Sequence, residues 1–367
     1  MSSESNNQVS NEVSFINVAV AVIHHKEQYL LGFRSAAQHQ GNRYEFVGGK
    51  IDGSESAEQA VIREVAEETG ITIHDNTVVK LGRLHHDYGD KQVSLQVYKI
   101  ELTAQQYEQY KECQQGLEGQ ALTWVDKADL LAGKYQLPAA NKTILKWLSI
   151  PAKIVITYPL AHFSTHSDPA AAWLQYHQEN LAVSALVYIR IKGVAIASES
   201  MTAQLMRLRP DILVILPYDH SIQNLNAKDS ITEKTDALNQ VAAYHLTQTA
   251  LMQWFNNTQD ISTFDRTLSD TYPLVVSCHD AASIQAANKL ARIRLQQQLP
   301  PVIGAFLSPV LATQTHPDEQ PLGWEAWSEL AQLADMPIIG LGGLSPTMID
   351  QALQYGGISV AGIRQFS

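Results

Sequence analysis

Cysteine is almost absent from this chain. Cys113 and Cys278 are its two thiols in 367 residues, too few and too far apart for a disulfide framework or a cysteine zinc site. A basic surplus is missing too. Lysine and arginine number 26 against 37 aspartates and glutamates, a formal net charge of −11, and a field of that sign repels polyphosphate backbones, which excludes stable nucleic-acid binding. No apolar run approaches the roughly 20 residues of a membrane span, and the start MSSESNNQVSNEVS lacks the basic residues and apolar core of a secretory signal. Low-complexity tracts and repeats are lacking within either half. The expectation is a soluble cytoplasmic protein with no membrane contact and a disordered leader over residues 1–13. The oligomeric state stays open.

What is present is ordinary globular composition, 45% hydrophobic and 17% charged, in a chain longer than one core usually organises, so two domains are expected. From residue 14, the runs SFINVAVAVI, QYLLGF, VVKLGRLHHDY and VSLQVYKIEL read as strands around one helical window at 55–69. That pattern predicts an α+β domain over 14–150, closed by a short helix between Pro138 and Pro151. Beyond it, KIVITY, VSALVYIR, DILVIL, QVAAYHL, PLVVSC, VIGAFL, PIIGL and SVAGI alternate with helix-compatible stretches. Eight such units over residues 151–367 match a (β/α)8 barrel, with a doubly wound open sheet as the competitor that periodicity cannot separate.

The segment GKIDGSESAEQAVIREVAEETGI, residues 49–71, follows the spacing G-x5-E-x7-R-E-U-x-E-E-x-G-U, with U apolar. Chance would fill its nine constrained positions on the order of once in ten million such chains. On a helix, Glu64, Glu67 and Glu68 share one face and repel one another unless cations lie between them. Oxygen-only donors at that density suit a hard cation, Mg2+ or alternatively Mn2+, able to bridge substrate phosphates. Arg63 is placed to neutralise part of the charge, and Gly70 to end the helix in a left-handed cap.

This segment is the Nudix signature, so the first domain is identified as a Nudix α/β/α sandwich, and RSAAQHQGNRYEFVGGKIDGSE resembles the MutT subgroup. The resemblance implies pyrophosphohydrolysis of oxidised purine nucleoside triphosphates, 8-oxo-dGTP foremost, to monophosphate and pyrophosphate, which is nucleotide-pool sanitation. It implies that Arg34, His39, Glu45, Phe46, Val47 and Gly48 hold the nucleotide and that the Gly48 carbonyl joins Glu64, Glu67 and Glu68 on the metal. Val47 replaces the subgroup's usual proline, which is expected to loosen that turn. HHDYGDKQVSL places Lys91 toward phosphate, GLEGQALTW supplies Glu118 as a further metal-side acid, and LPAANKTIL puts Asn141 where the subgroup reads the purine edge, a helix cap being the plain alternative. Glu64 or Glu118 would activate water. His24, His25, His85 and His86, at strand ends, read as satisfied surface groups.

The second half resembles the thiamine phosphate synthase and TenI superfamily, on VYIRIK, YHL, SCHD, SPVLATQTHPD, GLGGLSP and SVAGIR in that order. The resemblance implies a TIM barrel whose loops at Gly342, Gly343, Gly362 and Ile363 take a phosphate, tight βα turns being the plain reading of those glycines. Arg190 and Lys192 survive from the synthase pattern. Its magnesium carboxylates do not, since Pro217 and Ala250 stand at key positions, Tyr188 and Ile191 replace a glutamine and a glutamate, and His316 replaces a lysine. His279 matches the histidine of the thiazole tautomerases, and Cys278 reads as core. The barrel is therefore expected to bind a phosphorylated small molecule or to be degenerate. The competing readings are a tautomerase, a ligand sensor, or a barrel serving a hydrolase of thiamine-precursor diphosphates.

Overall fold

The computed structural model describes residues 14–34, 41–87, 91–191, 195–218, 239–257, 268, 270–313 and 320–366. The expected leader, His39, Lys192 and His316 lie outside the described residues. The first sheet is built from β1 (Ser14–His25), β2 (Gln28–Arg34), β3 (Arg43–Glu45), β4 (Val47–Lys50), β5 (Val78–Asp87), β6 (Lys91–Glu101) and β7 (Ala121–Asp126). Its order is β3-β2-β1-β6-β5, with β4 paired to β1 and β7 to β2. The strands β3, β4 and β7 go beyond the four runs read from sequence. The first two are short and β4 is half glycine, so neither carries an apolar alternation, and their pairing partners alone make them strands.

Alternation along β1 sends Ala19, Ala21 and Ile23 into one core and Val20 and Val22 into another. The helix α1 (Ala57–Thr69) covers the first face with Ala60, Val61 and Val65. Two short helices, α2 (Ala104–Tyr110) and α3 (Lys127–Leu131), precede α4 (Asn141–Leu148), which buries Ile144, Trp147 and Leu148 against the second face. The register also carries His24 inward. It is 5% exposed, stacks on Tyr29 and has Nδ1 3.0 Å from the Lys26 carbonyl. Burial pushes it down to about 3, so it is a neutral core group rather than a surface one.

Eight parallel strands follow among the described residues: β8 (Lys153–Ile156), β9 (Leu186–Tyr188), β10 (Leu213–Pro217), β11 (Val241–Leu246), β12 (Leu274–Cys278), β13 (Val302–Leu307), β14 (Ile338–Leu341) and β15 (Ser359–Gly362). The ladder runs β10-β11-β12-β13-β14-β15-β8-β9 and closes, which decides for the barrel over the open sheet. Ile154 and Ile156 point into its interior while Val155 packs outward. No helix among the described residues is long and apolar enough to cross a membrane.

The two domains share one core. The face of the first sheet that α1 leaves open continues through Trp147 and Ile150 into the barrel interior at Ile154, Ile303 and Ile339. Trp147 is 1% exposed, and its indole N–H donates to the carbonyl of Val302, the first residue of β13, at 3.1 Å. The sheet thus stoppers the barrel at the N-terminal ends of its strands. Gly82 permits the approach, because a Cβ there would lie 2.6 Å from the Asp335 carbonyl and 2.8 Å from the Trp147 ring. Lys80 Nζ donates to the Gln332 carbonyl at 2.6 Å, and Arg83 stands 3.5 Å from the Asp335 carboxylate.

Truncating this stopper should be felt by both domains. Trp147→Ala is expected to cost about 3–5 kcal/mol and to split the thermal unfolding of the full chain into two transitions. A single calorimetric transition at the wild-type temperature would contradict the shared core.

Candidate functional site

The helix α1 starts and stops where its sequence says. Ser56 accepts from the Gln59 N–H at 3.1 Å while the Gln59 side chain accepts from the Ser56 N–H at 2.8 Å, a reciprocal cap. Gly70 ends the helix at φ +74°. Between these caps Glu64 and Glu68 present their carboxylates toward β4, where two glycines make room, while Glu67 turns onto Arg63. A Cβ on Gly48 would sit 2.2 Å from the Ala19 carbonyl, and one on Gly49 2.2 Å from the Glu64 carboxylate. The Gly48 N–H donates to Glu68 Oε1 at 3.4 Å.

Arg63 is wedged among the acids. Its guanidinium lies 2.6 Å from Glu55 and 2.9 Å from both Glu64 and Glu67, and it also donates to the Lys50 carbonyl at 3.1 Å. Glu55, bonded through both oxygens, is the anchor that fixes this fork. It fills the first acidic position of the signature, the available signal, although the sequence reading gave it no role. Burial and the neighbouring charges of Glu67 and Glu118 raise Glu64, and Glu68 is pushed up to about 7 by burial, then by Glu45, Glu64 and Glu118. Glu118 itself is exposed, on a loop tied to the end of α1 by the Leu117 N–H to the Glu68 carbonyl at 2.8 Å. Gln120, which the sequence reading passed over, holds the Glu68 carboxylate from the same loop at 3.3 Å.

Among the described residues no three acidic, histidine or cysteine side chains converge as a ready cation cage, because Glu64 and Glu67 are turned onto Arg63. The donor set nonetheless fits a hard divalent ion. It offers only oxygen, and burial, with the neighbouring carboxylates adding to it, holds Glu64 and Glu68 above their ordinary range.

Around this centre, Arg34 and Glu45 pair at 3.1 Å. Burial outweighs the guanidinium, so Glu45 rises to about 7. Phe46 and Val47 are 4% and 1% exposed, each in a core, so they offer a ligand their backbone rather than their side chains. The loosening expected of Val47 does not occur, since the residue opens β4 and pairs with Ala21. Asn141 is 7% exposed at the first turn of α4, and its side chain makes no cap, which removes the plain alternative for it. Lys91 begins β6, paired with Ser14. Half-buried Tyr44 and Tyr135, edge to face at 5.1 Å, add aromatic surface beside Glu45 that the motif reading did not anticipate.

At the other site, the C-terminal strand ends of the barrel gather Tyr188, Arg190, His245, Ser277 and His279. Tyr188 Oη lies 2.7 Å from His245 Nδ1, and His245 Nε2 lies 2.7 Å from Ser277 Oγ. Burial holds His245 down at about 3 and Tyr188 up at about 12, so the chain is neutral. The His279 Nδ1–H donates to the Ser308 carbonyl at 2.7 Å, leaving Nε2 as an acceptor. Cys278 is buried, its thiol pushed up to about 12, as a core residue would be. The glycines expected to take a phosphate are tightly employed. A Cβ on Gly342 would meet Pro309 at 2.8 Å, one on Gly343 the Ala312 carbonyl at 2.6 Å, and one on Gly362 the Phe366 ring at 2.5 Å. Ile363 is half-buried beside them.

Comparison with known proteins divides at the same place. The family described as NUDIX domain matches residues 18–147, and the one described as thiamine monophosphate synthase matches 240–366. The 8-oxo-dGTP diphosphatase of Escherichia coli K12 is 30% identical over 131 residues, 35% of this chain and 93% of that protein. The CTP pyrophosphohydrolase of the same strain is 32% identical over 134 residues, 36% of this chain and 91% of that protein. A solved structure from an analysis of MutT from Aliivibrio salmonicida and Vibrio cholerae is 30% identical and covers 36% of this chain and 95% of that one, with a TM-score of 0.28.

The adjacent glycines should respond differently to the same added methyl. Gly48→Ala forces backbone apart and is expected to cost about 1–3 kcal/mol, whereas Gly49→Ala meets only a movable carboxylate and should melt within about 1 kcal/mol of wild type. Calorimetric titration with Mg2+ should show at least tenfold weaker binding in Gly49→Ala. Equal stability of the two variants would refute this account of β4.

Proposed function

Because the chain belongs to the Nudix hydrolases and continues into a thiamine monophosphate synthase-type domain, we propose that its first domain, residues 14–150, is a Mg2+-dependent pyrophosphohydrolase. Its substrate is an oxidised purine nucleoside triphosphate, 8-oxo-dGTP first, and its products are the monophosphate and pyrophosphate. The observation that carries this reading is the wedge of Glu64 and Glu68 against Gly49 and Gly48, with Glu64 and Glu67 held by the Arg63 that Glu55 anchors. A divalent cation held by Glu64, Glu67, Glu68, Glu118 and the Gly48 carbonyl supplies charge neutralisation for the phosphates.

The chain's own groups do the rest. Glu64, which burial raises above the ordinary carboxylate range, suits proton uptake from water, with Glu118 the alternative. Arg34 and His39 are assigned to holding the nucleotide and Lys91 to its phosphates by resemblance, and Asn141, free of any capping duty, offers an amide that donates and accepts at a purine edge. The relative named CTP pyrophosphohydrolase makes a pyrimidine triphosphate the first competitor.

For the barrel, residues 151–367, the reading is a binding domain for a phosphorylated small molecule. Synthase chemistry lacks its carboxylates at Pro217 and Ala250. A second reading, proton shuttling as in a thiazole tautomerase, is favoured by His279, anchored through Nδ1 to the Ser308 carbonyl and close to the Ser277–His245–Tyr188 chain.

Glu67→Gln and Glu68→Gln should each lower turnover at least about a hundredfold while leaving circular dichroism unchanged, and wild-type rates in either would sink the carboxylate wedge. Pyrophosphate release from 8-oxo-dGTP, dGTP, CTP and a thiamine-precursor diphosphate ranks the substrates by kcat/KM, and a tenfold lead for either of the last two overturns the purine assignment. The full chain should fail to rescue a strain lacking thiamine phosphate synthase. Growth without thiamine would show that the barrel retains synthesis.

A further inference from the structure

Two adjoining cavities run along the seam between the first sheet and the floor of the barrel, with volumes of about 180 and about 400 Å³, and both are walled by His24, Lys99 and Glu101. Neither involves the carboxylate wedge or the barrel mouth. The seam face of β6 reads Val93, Leu95, Val97 and then Lys99, so an apolar stripe that seals the two domains ends in an ammonium group at the smaller cavity. Trp147 from α4, with Ala152 and Ile358 at the barrel floor, closes the other side.

The smaller cavity is short of negative charge. Lys26, Lys99 and Lys127 line it against Glu27 and Glu101. Lys127 stands 3.9 Å from the Glu27 carboxylate. Lys99 has no hydrogen-bond or ion-pair partner among the described residues. Burial and the nearby Lys127 push its ammonium below the ordinary lysine range, and the carboxylates of Glu101 and Glu27, neither in direct ion pair with it, offset this only in part. An unpaired cation in a half-buried seam is costly unless something supplies the counter-charge, and in a chain of formal charge −11 a local cationic excess is unusual.

We propose that this cavity binds a single phosphate or carboxylate group of a small molecule between Lys99 and Lys127. The larger cavity limits what the rest of that molecule is. Asp75 and Asp350 in its walls oppose a second anionic group, whereas Gln354 offers hydrogen bonds to a neutral or cationic body, Asn76 being taken up by Gln106 and the Glu101 carbonyl. A polyphosphate is therefore a poor occupant, which separates this site from the nucleotide site. Because its walls come from both domains, an occupant tightens the seam and stabilises the whole chain.

The test uses the full chain with inorganic phosphate and with acetate as probes, each followed by titration calorimetry in wild type, Lys99→Met and Lys127→Met. The favoured probe identifies the oxyanion. Either variant should lose at least tenfold in affinity for it, and Lys99→Met, which removes an unpaired charge, should melt no lower than wild type without ligand. Should Lys99→Met misfold, Lys127→Met carries the comparison. Crystals soaked in tungstate should show an anomalous peak between the two ammonium groups. Affinity unchanged in the variants, or tungstate found only at the carboxylate site or the barrel glycines, overturns the proposal.

Discussion

A seven-stranded sheet with two apolar faces must have both of them covered, and the rest of this structure follows from how that is done. Side chains alternate along β1, so a strand that packs Ala19, Ala21 and Ile23 beneath α1 necessarily pushes Val20, Val22 and His24 out on the other side. One helix, α4, is too narrow to bury that second face. The barrel floor completes it, with Trp147 as the plug, and the same contact fills the lower barrel interior. Each domain therefore supplies part of the other's core, and the connection between α4 and β8 is short enough to hold them in place.

This arrangement separates the two chemistries. The carboxylate helix lies on the sheet face away from the barrel, and the barrel mouth lies at the strand ends opposite its stoppered floor. Among the described residues the shared core lies between the two. Communication between them would have to travel through the shared core, where the charged end of the β6 stripe at Lys99 is the conspicuous irregularity.

Electrostatics is organised differently at the two places. Around α1, burial first and the crowding of neighbouring acids second raise the proton affinities of Glu64 and Glu68. At the barrel mouth the buried Tyr188–His245–Ser277 chain is neutral and internally satisfied, a setting that preserves geometry without metal carboxylates. The glycines there approach Pro309, Ala312 and Phe366 so closely that their steric duty is plain whether or not an anion binds.

The sequence by itself determined whatever depends on local spacing. The caps of α1, its i, i+3, i+4 carboxylates, and the eight apolar runs that became β8–β15 are all contained in short windows, because helical and strand periods are set by the backbone. Tertiary structure alone decided what depends on partners distant in the chain. Closure of the barrel needed β15 to meet β8, and β3, β4 and β7 became strands only through β1 and β2. The burial of His24 and Phe46, the anchoring of Arg63 by Glu55, and the meeting of Tyr188, His245 and Ser277 likewise depend on which face is covered and by what. A window of sequence fixes which way a side chain points from its own element, but the dielectric and the hydrogen-bond partner that await it there are set by residues up to a hundred or more positions away.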